Sequence, residues 1–296
     1  MIVFVAGSPS IDRTHEIPAL EPGTIHRPSR VVAVAGGKAL NAARAAHHLG
    51  AQVRAVALLG GHAGRWIADA LADEGVDYDV VDGPGESRMA LSVAADGALT
   101  EFYEPPPPIA GEHWDALEAA VTRAAAAASW VALSGSLPPG APDDAYARLA
   151  GAARRASARV ALDARGDGLF AALHAAPDFV KVNASEAAEL GYATAPALRT
   201  AAGAAGAAIT HGTDGIELAT PTAVLRATPP AVGRFPVGSG DAALGGFLTA
   251  LDAGGDWSAA LQIATGAAAA NAEQPGAGRL DGARALALAR DVRVVG

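Results

Sequence analysis

The chain has 296 residues, 51% of them hydrophobic, no cysteine and a formal net charge of −9. The missing cysteine excludes disulfide scaffolds, thiolate zinc sites and thiol nucleophiles together. The acidic balance excludes nucleic acid and the bilayer as general partners, so any anion site must be local.

In chain order, Met1 to Gly7 form a short apolar run without a basic flank, and no window of about 18 residues is apolar without Gly or a charge. A cytoplasmic protein without a targeting signal or membrane span is expected. Buried strands are predicted at Ile2–Ala6, Val53–Leu59, Trp130–Leu133, Arg159–Asp163, Phe179–Val182 and Ala207–Thr210. Helical spacing occupies Ala39–Leu49, Arg65–Glu74, Glu112–Ala128, Asp143–Ser157 and Ala184–Leu190. The alternation predicts an α/β protein with a mostly parallel sheet and helices on both faces.

Two segments break the rhythm. Thr14–Val34 and Ser87–Phe102 carry short alternating patterns cut by Pro, Gly and an Asp96-Gly97 hairpin signal. They are expected to form a small β-sheet lid (residues 14–34 and 87–103) on a main domain of residues 1–13, 35–86 and 104–296. The lid would close over a cleft to exclude water. Pro105–Pro108 would lead back as a stiff connector.

Five stretches carry chemistry. Gly36-Gly37-Lys38-Ala39-Leu40-Asn41 opens a helix: the glycines bring backbone near a ligand, Lys38 offers a charge to a phosphate and Asn41 reaches sugar hydroxyls. A tight turn with a solvated lysine reads equally well. Leu133–Gly140 is a strand end with small hydroxyl residues, or a plain loop. In Phe179-Val180-Lys181-Val182-Asn183-Ala184-Ser185-Glu186, Asn183 and Glu186 share one side of a helix start. They suit water-coordinated Mg²⁺ or simply a capping box. Thr210-His211-Gly212-Thr213-Asp214-Gly215 ends a strand, with Thr210 and the Gly212 amide suited to nucleotide phosphates and Gly215 to a hairpin. Finally, Gly238-Ser239-Gly240-Asp241 runs into an apolar helix whose free N–H groups form an anion hole. Asp241, in its first turn, is either a base or a cap.

A competing oxidoreductase reading rests on Gly60-Gly61-His62-Ala63-Gly64 after the second strand. The spacing fails, because a dinucleotide fingerprint ending at Gly64 needs glycine where Leu59 stands.

Taken in order, residues 36–41, 181–186, 210–215 and 238–241 resemble the motifs of the ribokinase-like, or PfkB, family of carbohydrate kinases, across essentially the whole chain. Pro9-Ser10-Ile11-Asp12, Leu133–Gly140 and Thr100-Glu101-Phe102 are most similar to the branch acting on phosphorylated hexoses, which includes 1-phosphofructokinase and tagatose-6-phosphate kinase. The resemblance implies a three-layer α/β/α fold with the β-sheet lid, and ATP- and Mg²⁺-dependent phosphorylation of a small-molecule sugar phosphate. Asp241 would be the base within the anion hole of Gly238, Ser239 and Gly240. Asp12, Gly36, Gly37, Lys38, Asn41, Arg88 and Ser136 would bind the acceptor, with Lys38 and Arg88 on its phosphate and His26 or Arg27 assisting. Asn183, Thr210, Gly212, Gly215 and Asn271 would hold the nucleotide, and Glu186, Asn183 and Asp163 the metal through water. A homodimer pairing two lids is the family habit. Ala39, Val182, Pro236 and Ser239 depart from the family pattern, as does Ser8. An unphosphorylated sugar or nucleoside acceptor, and a non-catalytic sugar-phosphate-binding protein, are the alternatives.

Overall fold

Alternation along strand β1 (Ile2–Ala6) sets the layering: Ile2, Phe4 and Ala6 join one buried cluster, while Val3 and Val5 join another. Side chains of successive strand residues point to opposite faces, so a strand apolar at every position must be covered on both. The computed structural model describes residues 1–164 and 171–296. In it β4 (Val53–Leu59), β5 (Asp77–Asp82), β8 (Trp130–Gly135), β9 (Arg159–Ala164), β10 (Phe179–Asn183), β11 (Gly206–Thr210), β12 (Ile216–Ala219), β13 (Val224–Ala227) and β14 (Val294–Val295) complete a sheet with β1. Its order is β14-β13-β12-β11-β10-β9-β8-β1-β4-β5, parallel from β11 to β5 and antiparallel at the β12–β14 end.

Helices cover both faces. On the Val3 side lie α3 (Gly111–Ala125), α4 (Ala145–Arg155), α5 (Ala184–Glu189) and α6 (Ala195–Ala202), with Trp114, Leu117, Leu149 and Leu198 in the core. On the Phe4 side lie α1 (Lys38–His48), α2 (Gly61–Asp73), α7 (Ser239–Asp252) and α8 (Trp257–Ala272), contributing Leu40, Ile67, Phe247 and Leu261; α9 (Gly282–Asp291) packs behind α8. This second layer is built from small residues. A Cβ on Gly245 of α7 would lie 2.7 Å from the Ala42 carbonyl of α1, and one on Gly266 of α8 would lie 2.6 Å from the Ala285 carbonyl of α9. The alanine-rich stretches thus bring helix backbones together instead of filling space with large side chains.

A separate four-stranded sheet is formed by β2 (Ser10–Glu16), β3 (Arg30–Gly36), β6 (Arg88–Ala95) and β7 (Ala98–Tyr103), in the order β3-β2-β6-β7. Asp96 and Gly97 join β6 to β7 with φ of 50° and 75°, the left-handed pair that an Asp-Gly hairpin turn demands. This sheet starts earlier than the sequence suggested. β2 opens at Ser10, so Asp12 rides on the small sheet and not on the main body. The run Ser-Ile-Asp-Arg-Thr-His-Glu has little apolar alternation, which hid the strand. The edge strands β5 and β14, and β13 beside β14, were likewise unforeseen, being polar or short.

Candidate active site

The main sheet changes direction of growth at β1, which has β4 on one side and β8 on the other. In open α/β sheets the crevice outside the carboxyl ends of the strands at such a point receives ligands. There the small sheet faces the N-termini of α1 and α7 across a cavity of about 580 Å³. Asp12, Gly37, Lys38, Asn41, Arg88, Ser136, Asn183, Glu186, Thr210, Gly212, Gly215, Gly238, Ser239, Gly240 and Asp241 all line it. Gly36, Asp163 and Asn271 do not.

Asp241 stands in the first turn of α7 and is 8% exposed. Its Oδ2 accepts from Asn41 Nδ2 at 2.9 Å. Burial, and next the charge of Asp163, push its pKa up to about 7, against the opposing pull of Lys38, Lys181 and the Asn41 hydrogen bond. A carboxylate so tuned is matched to proton abstraction near neutrality. It does not cap its helix by a side-chain hydrogen bond, which removes the bland reading.

The backbone around it is shaped for close approach. Gly238 has φ of 82°, and a Cβ there would lie 2.7 Å from Ala277. Among the described residues the N–H groups of Gly240 and Asp241 find no acceptor, as expected for a helix start. The Ser239 N–H differs from expectation, since it donates to the Pro236 carbonyl at 3.1 Å. The anion hole of this conformation is therefore Gly240 and Asp241, with Ser239 closing the turn. Asn271, fully buried, braces the turn from behind: its amide donates to the Val237 carbonyl (2.9 Å) and Ser239 Oγ (3.1 Å) and accepts from the Gly278 N–H (2.8 Å). It shapes the loop and does not flank a base directly.

Charges below the cleft are ordered by strand register. Ser134 on β8 lies level with Asp163 on β9, and the register pairing Leu162 with Val180 brings Lys181 of β10 level with Asp163. Asp163 is fully buried, with Lys181 Nζ at 2.9 Å and Lys38 Nζ at 3.1 Å. Burial opposes its charge, yet the two ammoniums hold its pKa below the usual carboxylate value. Lys38 also meets Glu186 at 2.7 Å; burial disfavours its charge, but Asp163, Glu186 and Asp241 together raise its pKa above that of a free lysine. Lys38 is thus committed to two carboxylates, and Asp163 reaches the cleft only through the lysines. Lys181 was missed. Its signal was a lysine inside the apolar run Phe-Val-Lys-Val, where alternation puts it on the buried Phe179 side and so demands a partner.

Asp12 explains the paired glycines. Its carboxylate accepts from Ser10 Oγ (2.5 Å), the Gly37 N–H (3.2 Å) and Asn41 Nδ2 (3.4 Å), and a Cβ on Gly36 would lie 2.0 Å from Asp12 Cγ. Gly36 makes room for Asp12, while Gly37 points its N–H at it. Arg88, level with Ser10 on the neighbouring strand β6, donates from Nε to Ser8 Oγ at 3.2 Å.

Asn183 and Glu186 form a full capping box: Asn183 Oδ1 accepts from the Glu186 N–H (2.8 Å) and Glu186 Oε2 from the Asn183 N–H (2.9 Å). The cap and a role at the cleft coexist. Among the described residues no three His, Asp or Glu group as a metal cage. Two oxygen-bearing side chains at the cleft wall still fit Mg²⁺, which keeps several waters and binds through one or two carboxylates plus substrate phosphates.

The glycine-rich turn after β4 is closed to a dinucleotide. Glu86 accepts from the His62 and Ala63 N–H groups at 3.0 and 2.9 Å, occupying the α2 N-terminus where a pyrophosphate would sit. No helix among the described residues is long and apolar enough to cross a membrane.

Residues 3–281 match the family model described as pfkB family carbohydrate kinase. A 1-phosphofructokinase of Rhodobacter capsulatus is 32% identical over 277 residues, covering 89% of this chain and 88% of that protein. One of Xanthomonas campestris is 35% identical over 268 residues, covering 84% and 83%. Phosphofructokinase-2 from Escherichia coli, solved in complex with potassium, superposes with a TM-score of 0.90 over 98% of both chains at 24% identity. That likeness speaks for the fold, which is the ribokinase-like α/β architecture expected from the motif order.

Proposed function

The chain belongs to the pfkB family of carbohydrate kinases, and from that premise we propose that it transfers the γ-phosphoryl group of ATP to a hydroxyl of a hexose phosphate, with fructose 1-phosphate the first acceptor to test. The observation that carries the reading is Asp241, a buried carboxylate with its pKa near 7, beside two free N–H groups at a helix N-terminus that opens on the cleft.

Phosphoryl transfer needs positioning and charge stabilisation more than covalent chemistry. Asp241 takes the proton of the acceptor hydroxyl as that oxygen attacks. The N–H groups of Gly240 and Asp241, with the α7 dipole, stabilise charge on the moving phosphoryl group. Asp12 and Asn41 bind sugar hydroxyls, and Asn41 at the same time fixes the Asp241 carboxylate. Because Lys38 is held by Asp163 and Glu186, the phosphate of the acceptor is assigned to Arg88 and Ser136, and Lys38 with Lys181 faces the transferring group. Thr210, Gly212 and Gly215, which line the same cavity, would hold the nucleotide phosphates. Bound Mg²⁺ supplies charge neutralisation on the nucleotide phosphates, with Glu186 and Asn183 as the residues that would hold it.

The four-stranded sheet serves as a lid that sheds water from the cleft, working in the cytoplasm as part of a homodimer. Val31 and Phe102, on the sheet face turned away from the cleft, are 47% and 54% exposed and offer apolar surface for a second copy. Coupled ADP release with fructose 1-phosphate, fructose 6-phosphate, tagatose 6-phosphate, free fructose and a nucleoside tests the reading. A hexose phosphate is expected to exceed the unphosphorylated acceptors in kcat/KM by about 100-fold. Absence of turnover with every hexose phosphate would refute it.

A further inference from the structure

The cleft-facing side of the lid sheet carries more polar groups than Asp12 and Arg88. Register places Asp12, Ala90 and Tyr103 on one rung, and Thr14, Ser92 and Glu101 on the next, with Ser10 and Arg88 on the rung before; all line the cavity. The Tyr103 phenol donates to Glu101 Oε1, which also accepts from Ser92 Oγ at 3.4 Å. Among the described residues Glu101 Oε2 has no protein donor. Burial and the neighbouring Glu101 raise the Tyr103 pKa above its ordinary value, so the phenol stays a donor and keeps the carboxylate in place.

The face is therefore graded. Arg88 stands at one end and Glu101 two rungs away, about 13 Å along the strands at the usual rise per residue. A cation there attracts a phosphate, whereas a carboxylate repels one and accepts from a neutral hydroxyl.

We propose that Glu101, oriented by Tyr103 and Ser92, reads the acceptor: it accepts a hydrogen bond from a sugar hydroxyl and turns away acceptors that present a phosphate at that position. This rests on the sugar-phosphate kinase reading, and it assigns that site a specificity element on β7. The side chains that make it up, Ser92, Glu101 and Tyr103, stand on the lid and leave the anion hole untouched.

The test is steady-state kinetics and calorimetry with fructose 1-phosphate on Glu101→Gln and Tyr103→Phe. Glu101→Gln is expected to raise both KM and Kd for fructose 1-phosphate about tenfold, the worth of one hydrogen bond to a charged group, with kcat within about threefold. Tyr103→Phe is expected to move both constants the same way by less, and KM for ATP stays unchanged in both variants. Unchanged KM and Kd for fructose 1-phosphate in Glu101→Gln overturn the proposal, as does an equal effect on KM for ATP. Should Glu101→Gln lower the melting temperature, Tyr103→Phe, which keeps the ring, decides by the same criteria. If the wild-type protein turns over no hexose phosphate, the kinase reading falls. The proposal is then judged by calorimetry alone, where equal Kd values for wild type and variant, or no binding by either, sink it.

Discussion

Asp241→Asn keeps the shape of the side chain and an oxygen for the Asn41 amide while removing the base, and it should act on activity and stability with opposite signs. A positioned general base contributes about 10²–10⁴-fold, so kcat should fall by that factor, about 3–5.5 kcal/mol in the barrier. Stability follows from the raised pKa. The folded carboxyl keeps its proton up to about pH 7, whereas the unfolded one releases it near the ordinary aspartate value of 3.8. Between those limits the native state binds more protons than the unfolded state, so wild-type stability falls as pH rises through the window, and the whole loss is present above about pH 7. The gap corresponds to about 4 kcal/mol as a ceiling. Asparagine never ionises, so the variant should melt higher than wild type at pH 8, by about 2–4 °C per kcal/mol, and this advantage should shrink towards pH 4. Coupled ADP release and thermal unfolding at pH 4, 6 and 8 measure both effects. Turnover within tenfold of wild type would show that Asp241 is not the base, and a melting difference that ignores pH would show that it is not a buried carboxyl of raised pKa.

Asn41→Ala removes the hydrogen bond that favours ionised Asp241, so the acid limb of kcat/KM against pH should move up by about one unit. Asp163→Asn should move that limb down, because Asp163 raises the Asp241 pKa; stripping Lys38 and Lys181 of their shared partner should also lower stability by about 3–5 kcal/mol in denaturant unfolding. Gly36→Ala puts a methyl where Asp12 sits, and should raise the acceptor KM about tenfold while KM for ATP stays within about twofold. Chelating Mg²⁺ should abolish ADP release with no change in melting temperature, since no ion pair or cap described above depends on a metal.

Much of this was legible from residue order. β1 is apolar throughout, and in β4 only Arg54, which reaches Asp79 on the edge strand β5, interrupts the apolar run, because strands buried on both faces leave few polar positions to blur the pattern. Edge strands obey a different rule: Asp77-Tyr-Asp-Val-Val-Asp pairs on one side only and can stay polar, so β5 carries no such signal. At the cleft, four short motifs predicted which residues gather, and the structure brings them to one cavity. What they do to each other was not legible. Lys38 was assigned to a phosphate because a lysine after two glycines suits one; its ties run to Asp163 on β9 and Glu186 on α5, 125 and 148 positions away. Lys181 shows the same limit, since its burial follows from alternation but its partner follows from register. Asp12 and Asn41 were expected to act together and do share a hydrogen bond, yet Asp12 was placed on the main body and not on the small sheet, because β2 has too few apolar residues to announce itself.

The thin helix layer on the Phe4 side has a consequence for how this protein can change. Where Gly245 meets the Ala42 carbonyl and Gly266 meets that of Ala285, the contact surfaces are main chain, common to every amino acid. Mutation there has little to erode and almost nothing it can add: losing a methyl from an alanine leaves a small void, but gaining one collides with a peptide group that has no rotamer to escape into. The layer that carries the N-termini of α1 and α7 should therefore tolerate drift towards smaller residues and resist drift towards larger ones. The four-stranded sheet, whose strands meet the cleft with side chains, is the part left open to evolutionary retuning.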